Sequence, residues 1–265
     1  MSLLSPVHHA RPRFRPLTVR AVEQVAEAAV AITFDVPDDW SAEFLEFTAG
    51  QHVTLSATID GERVRQSYSI TWSPERAQRE QALRIGVALV PGGRMSTWLN
   101  TQVAPGDVID VLAPMGEFTY TPAPETERLH VAVAGGSGIT PVLSIITTAL
   151  AAEPTSRFTV LYGTRSRAAA MFDAELSAMA EQYTPRLRII PVHSQEASED
   201  VLLGRIEPDL LDALIEGIAP VADVDDWWLC GPEGLVDAVT GWLQRHRVPA
   251  QRVHHEVFHT VHHSA

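Results

Sequence analysis

The sequence predicts two folding units in series: an antiparallel β-barrel or sandwich, then an α/β unit doubly wound on a parallel sheet. Three observations predict it. Between Leu17 and Phe118 the chain runs in short β-rich segments bounded by glycine, proline and aspartate. From Leu129 onward strand-like and helix-like segments alternate, which requires crossover connections and a sheet covered on both faces. Between the two, TYTPAPETER (119–128) is polar and carries two prolines, as linkers do.

Residues 1–16, rich in proline, arginine and histidine, read as a loose arm ahead of the first unit, 17–122. Its expected strands are LTVRAV (17–22), AVAITFDV (29–36), HVTLSATI (52–59), VRQSYSI (64–70) and LRIGVALV (83–90), with a short helix at MSTWLNTQV (95–103). In the second unit, 123–258, LHVAVA (129–134) is a continuous apolar strand and PVLSIITTALAA (141–152) a helix. Strand RFTVLYG (157–163), helix MFDAELSAMAEQY (171–183) and strand LRIIPV (187–192) follow. Helix PDLLDALI (208–215), strand DWWLCG (226–231), helix LVDAVTGWLQRH (235–246) and strand RVHHEVF (252–258) complete it, ahead of a histidine-rich tail, 259–265.

Bulk properties remove several functions. A hydrophobic content of 45% with 20% charged residues is globular rather than disordered. No apolar stretch reaches the roughly 20 residues that cross a bilayer, and the N-terminus lacks a secretory leader. The single cysteine, Cys230, forms no intrachain disulfide, so a cytoplasmic location is expected. It also rules out a [2Fe–2S] cluster carried by this chain alone, since that takes four thiolates. A net charge of −13 argues against nucleic acid or an anionic membrane as the main partner.

Chemistry concentrates at three turns. GGSGITP (135–141) lies where the first strand of the second unit meets its helix, the position at which open parallel sheets bind ligands. Gly135, Gly136 and Gly138 permit a tight turn and a close ligand approach; Pro141 suits a first helical turn. The helix start there favours an anion such as a pyrophosphate, although a glycine turn alone can serve merely to reverse the chain. YGTRSR (162–167) ends the second strand, where an acid reads an NAD ribose and an arginine accommodates an NADP phosphate. With Arg165, Ser166 and Arg167 and no acid before Asp173, this loop points to NADP. CGP (230–232) repeats the strand–turn–helix arrangement, and EVF (256–258) lies on the last strand.

In order along the chain, QSYSI (66–70), GGRMSTWL (92–99), PMGEF (114–118), GGSGITP, YGTRSR, CGP and EVF resemble the ferredoxin–NADP reductase superfamily. The detail of PGGRMSTWL and YGTRSRAAAMF is most similar to the reductase components of phenylacetyl-CoA epoxidases and related oxygenases. The resemblance implies a six-stranded flavin-binding barrel followed by an NADP-binding α/β domain. It implies that Tyr68 packs on the isoalloxazine, that Ser69 bonds near its N5, and that Ile70 completes the motif. Gly92, Gly93, Arg94, Met95 and Ser96 would offer the flavin pyrophosphate their helix-start N–H groups. Gly136, Gly138, Thr140 and Pro141 would hold the nicotinamide nucleotide, with Arg165, Ser166 and Arg167 at its phosphate. Cys230, Gly231 and Pro232 would lie beside the nicotinamide, Phe258 over the flavin, and Glu256 would orient these groups.

The implied reaction is hydride transfer from NADPH, or secondarily NADH, to FAD, or secondarily FMN. Single electrons then pass to a separate ferredoxin-like protein or oxygenase. The iron–sulfur domain that follows the NADP domain in such reductase components is expected to be absent after Phe258. A reductase of free flavin, quinone or ferric chelates, and a non-catalytic electron-transfer subunit, are the alternatives. No metal site is expected: His255, His259 and His263 have helical spacing but no thiolate companions.

One residue departs from the family pattern. An arginine is expected two positions before the flavin-stacking tyrosine, and Gln66 stands there, with Arg65 one residue early. A one-residue offset in a strand points a side chain to the opposite face. Either a bulge re-aims Arg65, or Arg94 supplies the charge, or the flavin binds more weakly.

Overall fold

The computed structural model describes residues 13–197, 201–218 and 220–258. The first unit is a six-stranded antiparallel sheet: β1 (Phe14–Ala26), β2 (Ala29–Asp35), β3 (His52–Ile59), β4 (Glu62–Ser69), β5 (Ala82–Ala88) and β6 (Val108–Met115), in the order β4-β3-β6-β1-β2-β5. It rolls into a barrel by bringing its two edges together at one point. There Ile70 bridges Ile85, and the Thr71 N–H donates to the Arg84 carbonyl at 2.8 Å. Elsewhere β4 and β5 do not pair, so the barrel stays open along most of that side. Alternation sets its interior: Val53 and Leu55 on β3 and Leu83, Ile85 and Val87 on β5 are fully buried, with Phe34 and Phe44 filling the centre. Of the short helices α1 (Ser41–Phe44), α2 (Pro74–Glu80) and α3 (Arg94–Thr101), the last plugs the barrel with Met95 and Leu99.

The second unit carries a six-stranded parallel sheet: β7 (Leu129–Gly135), β8 (Arg157–Thr164), β9 (Leu187–His193), β10 (Leu202–Leu203), β11 (Asp226–Gly231) and β12 (Val253–Val257), ordered β10-β9-β8-β7-β11-β12. The strand order reverses beside β7, which makes its carboxyl end the topological switch point. The helices α4 (Ile139–Ala152), α5 (Asp173–Gln182), α6 (Pro208–Ile218) and α7 (Glu233–Arg245) cover its faces.

One apolar cluster belongs to both units: Ala29, Ala49, Phe118 and Tyr120 of the first pack with Ile145, Phe172 and Trp228 of the second. Polar contacts cross the same seam. The buried Arg84 guanidinium donates to Glu175 at 2.8 Å, and the Ser144 hydroxyl donates to the Trp72 carbonyl at 2.7 Å. The seam is therefore a packed core and not a hinge left open to water.

The elements expected from the sequence form with their expected types, but α1 and α2 of the first unit are additional helices, the second capped by Ser73 and opened by Pro74; the other differences have physical causes. β1 begins at Phe14 rather than Leu17, because Phe14, Arg15 and Pro16 pair with Leu112, Val111 and Asp110; residues 1–12 of the expected arm lie outside the described residues. The central strand β6 escapes the apolar pattern because Asp110 and Pro114 interrupt it. β10 is two residues long, too short to show any period. His255 sits on a strand, so the helical spacing of the tail histidines does not hold there, and His259 and His263 lie outside the described residues.

The candidate active site at the domain seam

Two glycine turns meet at the carboxyl edge of the parallel sheet. A Cβ on Gly138 would lie 2.1 Å from the Cys230 carbonyl oxygen, and a Cβ on Gly231 (φ +148°) would lie 3.0 Å from the Gly135 backbone. Only glycine allows that approach, so the GGSG turn after β7 and the CGP turn after β11 form one backbone surface. Thr140, buried, locks the turn by donating to the Ser137 carbonyl at 2.8 Å, and Pro141 is buried in the first turn of α4.

Over this surface opens a cleft of about 700 Å³, in the size range of small-molecule sites. Gly136, Ser137, Gly163, Arg165 and Pro232 line it from the sheet side. The barrel closes the other side with Glu27, Ala28 and Ala29 of the β1–β2 turn and with Ala88 and Leu89. Of the expected nucleotide residues, Gly136, Arg165 and Pro232 line the cleft; Gly138, Thr140 and Pro141 lie behind it as the turn's scaffold. Ser166 and Arg167 do not line it. Arg167 is held outside by Asp173, to which its Nε donates at 3.1 Å, while its N–H donates to Glu196 at 2.7 Å. Sequence reasoning did not find Ser194 and Arg205, which do line the cleft. The only local signal for the latter is a Gly-Arg pair, Gly204–Arg205, just ahead of a helix-opening Pro208.

At the seam itself β11 and β12 are paired in register, with Cys230 beside Glu256, and β7 places Ala134 on the other side of Cys230. Burial, with the Glu256 charge adding to it, pushes the Cys230 thiol well above its ordinary value. The thiol is neutral near pH 7 and serves as a small apolar surface. Glu256 reaches across to the barrel: its Oε1 lies 3.7 Å from Nδ1 of His52, and its Oε2 is buried without a hydrogen-bond partner among the described residues. His52 stands opposite Ser69 in the β3–β4 ladder. Phe258 follows β12, donates its N–H to the Gly231 carbonyl at 2.8 Å and packs on the core shared by both units.

On β4, Gln66 pairs with Leu55 and Tyr68 with Val53, so both occupy the face turned to the barrel interior, beside the open edge. The β3–β4 register runs from His52–Ser69 to Ile59–Glu62 without a bulge. Arg65 therefore stays on the opposite face, its guanidinium 5.0 Å from the centre of the Phe14 ring, and the bulge that would re-aim it is absent. Arg94, at the start of α3, donates to the Glu62 carboxylate and to the Ile59 carbonyl. Gly92 and Gly93 form the turn before α3, in which the Gly93 N–H donates to Val90. The buried Ser96 hydroxyl closes that loop, accepting from the Val90 N–H at 3.1 Å and donating to the Gly93 carbonyl at 3.0 Å; Met95 points into the barrel core.

Family models described as an oxidoreductase FAD-binding domain and an oxidoreductase NAD-binding domain match residues 16–120 and 132–241. A component of the 1,2-phenylacetyl-CoA epoxidase of Escherichia coli K12 is 36% identical over 248 residues, which are 93% of this chain and 68% of that one. The chain belongs to the ferredoxin reductase family. It is a flavin-dependent oxidoreductase, as that family is. The reductase subunit of an Amycolatopsis aromatic O-demethylase is 32% identical over 82% of this chain and 62% of its own length. Thus the chain spans about two thirds of the length of these curated relatives. Among solved structures, the FAD/NAD-binding domain of the Vibrio cholerae nitric oxide dioxygenase superposes with a TM-score of 0.80 at 28% identity, over 93% of this chain and 99% of that domain. An Amycolatopsis cytochrome P450 reductase does so at 0.78 and 29%, over 96% and 73%.

The barrel of this ferredoxin reductase family chain fits the flavin on its own features. Burial pushes the Tyr68 phenol above its ordinary range, and its hydroxyl has no hydrogen-bond partner among the described residues. A buried polar group without a partner is costly, and a ligand bearing hydroxyls relieves that cost. Tyr68 and the Gln66 position lie on β4, the strand at the open side of the barrel.

Proposed function

We propose that this protein takes hydride from NADPH, in preference to NADH, onto FAD and delivers single electrons to a separate iron–sulfur protein or oxygenase. The observation that carries the reading is the cleft at the switch point, walled by both domains and lined by Pro232, two residues beyond Cys230; Cys230 in turn pairs with Glu256, which lies 3.7 Å from His52 of the barrel. A nicotinamide nucleotide laid along the glycine surface would reach the seam beside the flavin-binding strand.

The flavin supplies the conversion of a two-electron hydride input into one-electron output. The chain supplies alignment and exclusion of water. Tyr68 and Ile70 shape the barrel side, and the helix start at Met95 and Ser96 presents N–H groups to a pyrophosphate. Cys230 and Gly231 let the nicotinamide approach closely, Phe258 covers the ring when the nucleotide is away, and Glu256, 3.7 Å from His52, helps orient these groups at the seam. Arg165 favours the 2′-phosphate of NADPH. The acceptor is inferred from relatives named as an epoxidase component, the reductase of an O-demethylase and the ferredoxin reductase of a monooxygenase.

The test begins with the absorption spectrum of the purified protein and identification of any released cofactor. Anaerobic NADPH should then bleach a bound flavin stoichiometrically, and the reduced protein should reduce an added ferredoxin. A colourless protein that binds neither FAD nor FMN would refute the barrel assignment. Reduction of free flavin without reduction of ferredoxin would refute the protein acceptor.

A further inference from the structure

We infer that the adenosine 2′-phosphate is held by a lip built from three strand ends, in which Arg205 and Ser194 act together with Arg165. The inference rests on the reading that a nicotinamide nucleotide occupies the cleft. It concerns what decides between NADPH and NADH.

The register of the sheet assembles the lip. Thr164 on β8 pairs with His193 on β9, and His193 pairs with Leu203 on β10. The ladder continues past the strands: the Ser194 N–H donates to the Thr164 carbonyl at 2.9 Å, Gln195 to Arg165 at 2.9 Å, and Gly204 to His193 at 2.8 Å. One residue beyond the last pairs, Arg165, Ser194 and Gly204 therefore emerge side by side, with Arg205 next. Parallel neighbours lie about 4.8 Å apart, so the two arginines start from backbones about 10 Å apart. Two long side chains reaching inward can grip one phosphate across that distance, with the serine hydroxyl between them.

Arg165 and Arg205 both line the cleft, and they are the only cationic residues that do so among the described residues. Arg167, the other arginine of the β8 turn, is diverted to Asp173. Pro208, at the first position of α6, also lines the cleft, so the positive end of that helix faces the same lip. Two carboxylates, Glu27 and Glu207, line the cleft as well. They oppose a phosphate and would suit an unphosphorylated ribose, so the pair of arginines rather than either alone is needed to tip the balance to NADPH. A guanidinium–phosphate contact is directional and paired, and losing one costs about 10- to 100-fold in affinity.

The experiment is calorimetric titration with adenosine 2′,5′-bisphosphate and with 5′-AMP, on the wild-type holoprotein and on Arg205→Ala, Arg205→Lys and Arg165→Ala. Arg205 is exposed, so its replacement leaves folding intact. The expected result is a loss of about 10- to 100-fold in bisphosphate binding for each alanine variant, partial retention with lysine, and 5′-AMP affinity unchanged within about twofold. Bisphosphate binding to Arg205→Ala equal to wild type, or equal wild-type affinity for the two nucleotides, overturns the inference and leaves the reductase reading standing. Failure of the wild type to bind either nucleotide overturns both.

Discussion

Gln66→Arg should tighten flavin binding. Position 66 shares its face with Tyr68 beside the open barrel edge and is exposed, so a longer cationic side chain meets no packed neighbour. Arg65 cannot substitute, because the regular β3–β4 register keeps it over Phe14 on the far face. Arg94 is the remaining cation of the expected pyrophosphate site, and it is tied to Glu62 and to the Ile59 carbonyl. A new charge-assisted contact to a diphosphate is worth about 1.5–3 kcal/mol, which is about 10- to 150-fold in Kd. The assay is fluorescence titration of the apoprotein with FAD, using riboflavin as a ligand that lacks the phosphates. FAD binding should tighten within that range while riboflavin binding stays put. In parallel, Arg94→Ala should weaken FAD binding by a similar factor if Arg94 leaves Glu62 for the flavin. An unchanged FAD affinity in Gln66→Arg, with its melting temperature also unchanged, would show that position 66 does not face the pyrophosphate.

Three further outcomes are expected. Gly138→Ala drives a Cβ to 2.1 Å from the Cys230 carbonyl oxygen, so the two turns must separate; NADPH-driven bleaching should fall by at least tenfold while flavin content is kept, and wild-type bleaching would refute the single-surface account. Cys230, fully buried and with its thiol pushed up, should resist iodoacetamide at pH 8 in the native protein and react once unfolded, as mass spectrometry of the labelled chain would report. His130 is fully buried against Phe158, and burial lowers it to about 4 from an ordinary value near 6.5 despite Asp226 and Glu153 nearby. Because the unfolded chain takes up that proton first, the stability is present above about pH 6.5 and is lost as pH falls toward 4. The loss should reach about 2 kcal/mol at pH 5, read from urea midpoints, and His130→Phe should flatten that slope even if it lowers stability overall.

The sequence by itself determined the two-domain order, the types of most strands and helices, and the glycine turns that meet at the cleft. These are local properties: alternation in HVTLSATI, the apolar run of LHVAVA, and glycines where the backbone of GGSG must pass close to another segment. It also determined that Gln66 and Tyr68 share a face, since a strand's period is two whatever it pairs with. Tertiary structure decided what depends on register between distant segments. It set Arg65 on the face opposite Tyr68, turned Arg167 out to Asp173, and brought His52 within 3.7 Å of Glu256, 204 positions further along the numbering. It also carried Arg205 to the lip where Arg165 ends its strand, through a two-residue strand with no period of its own. Local patterns specify the elements, but which strand ends become neighbours follows from how the whole sheet buries its two faces.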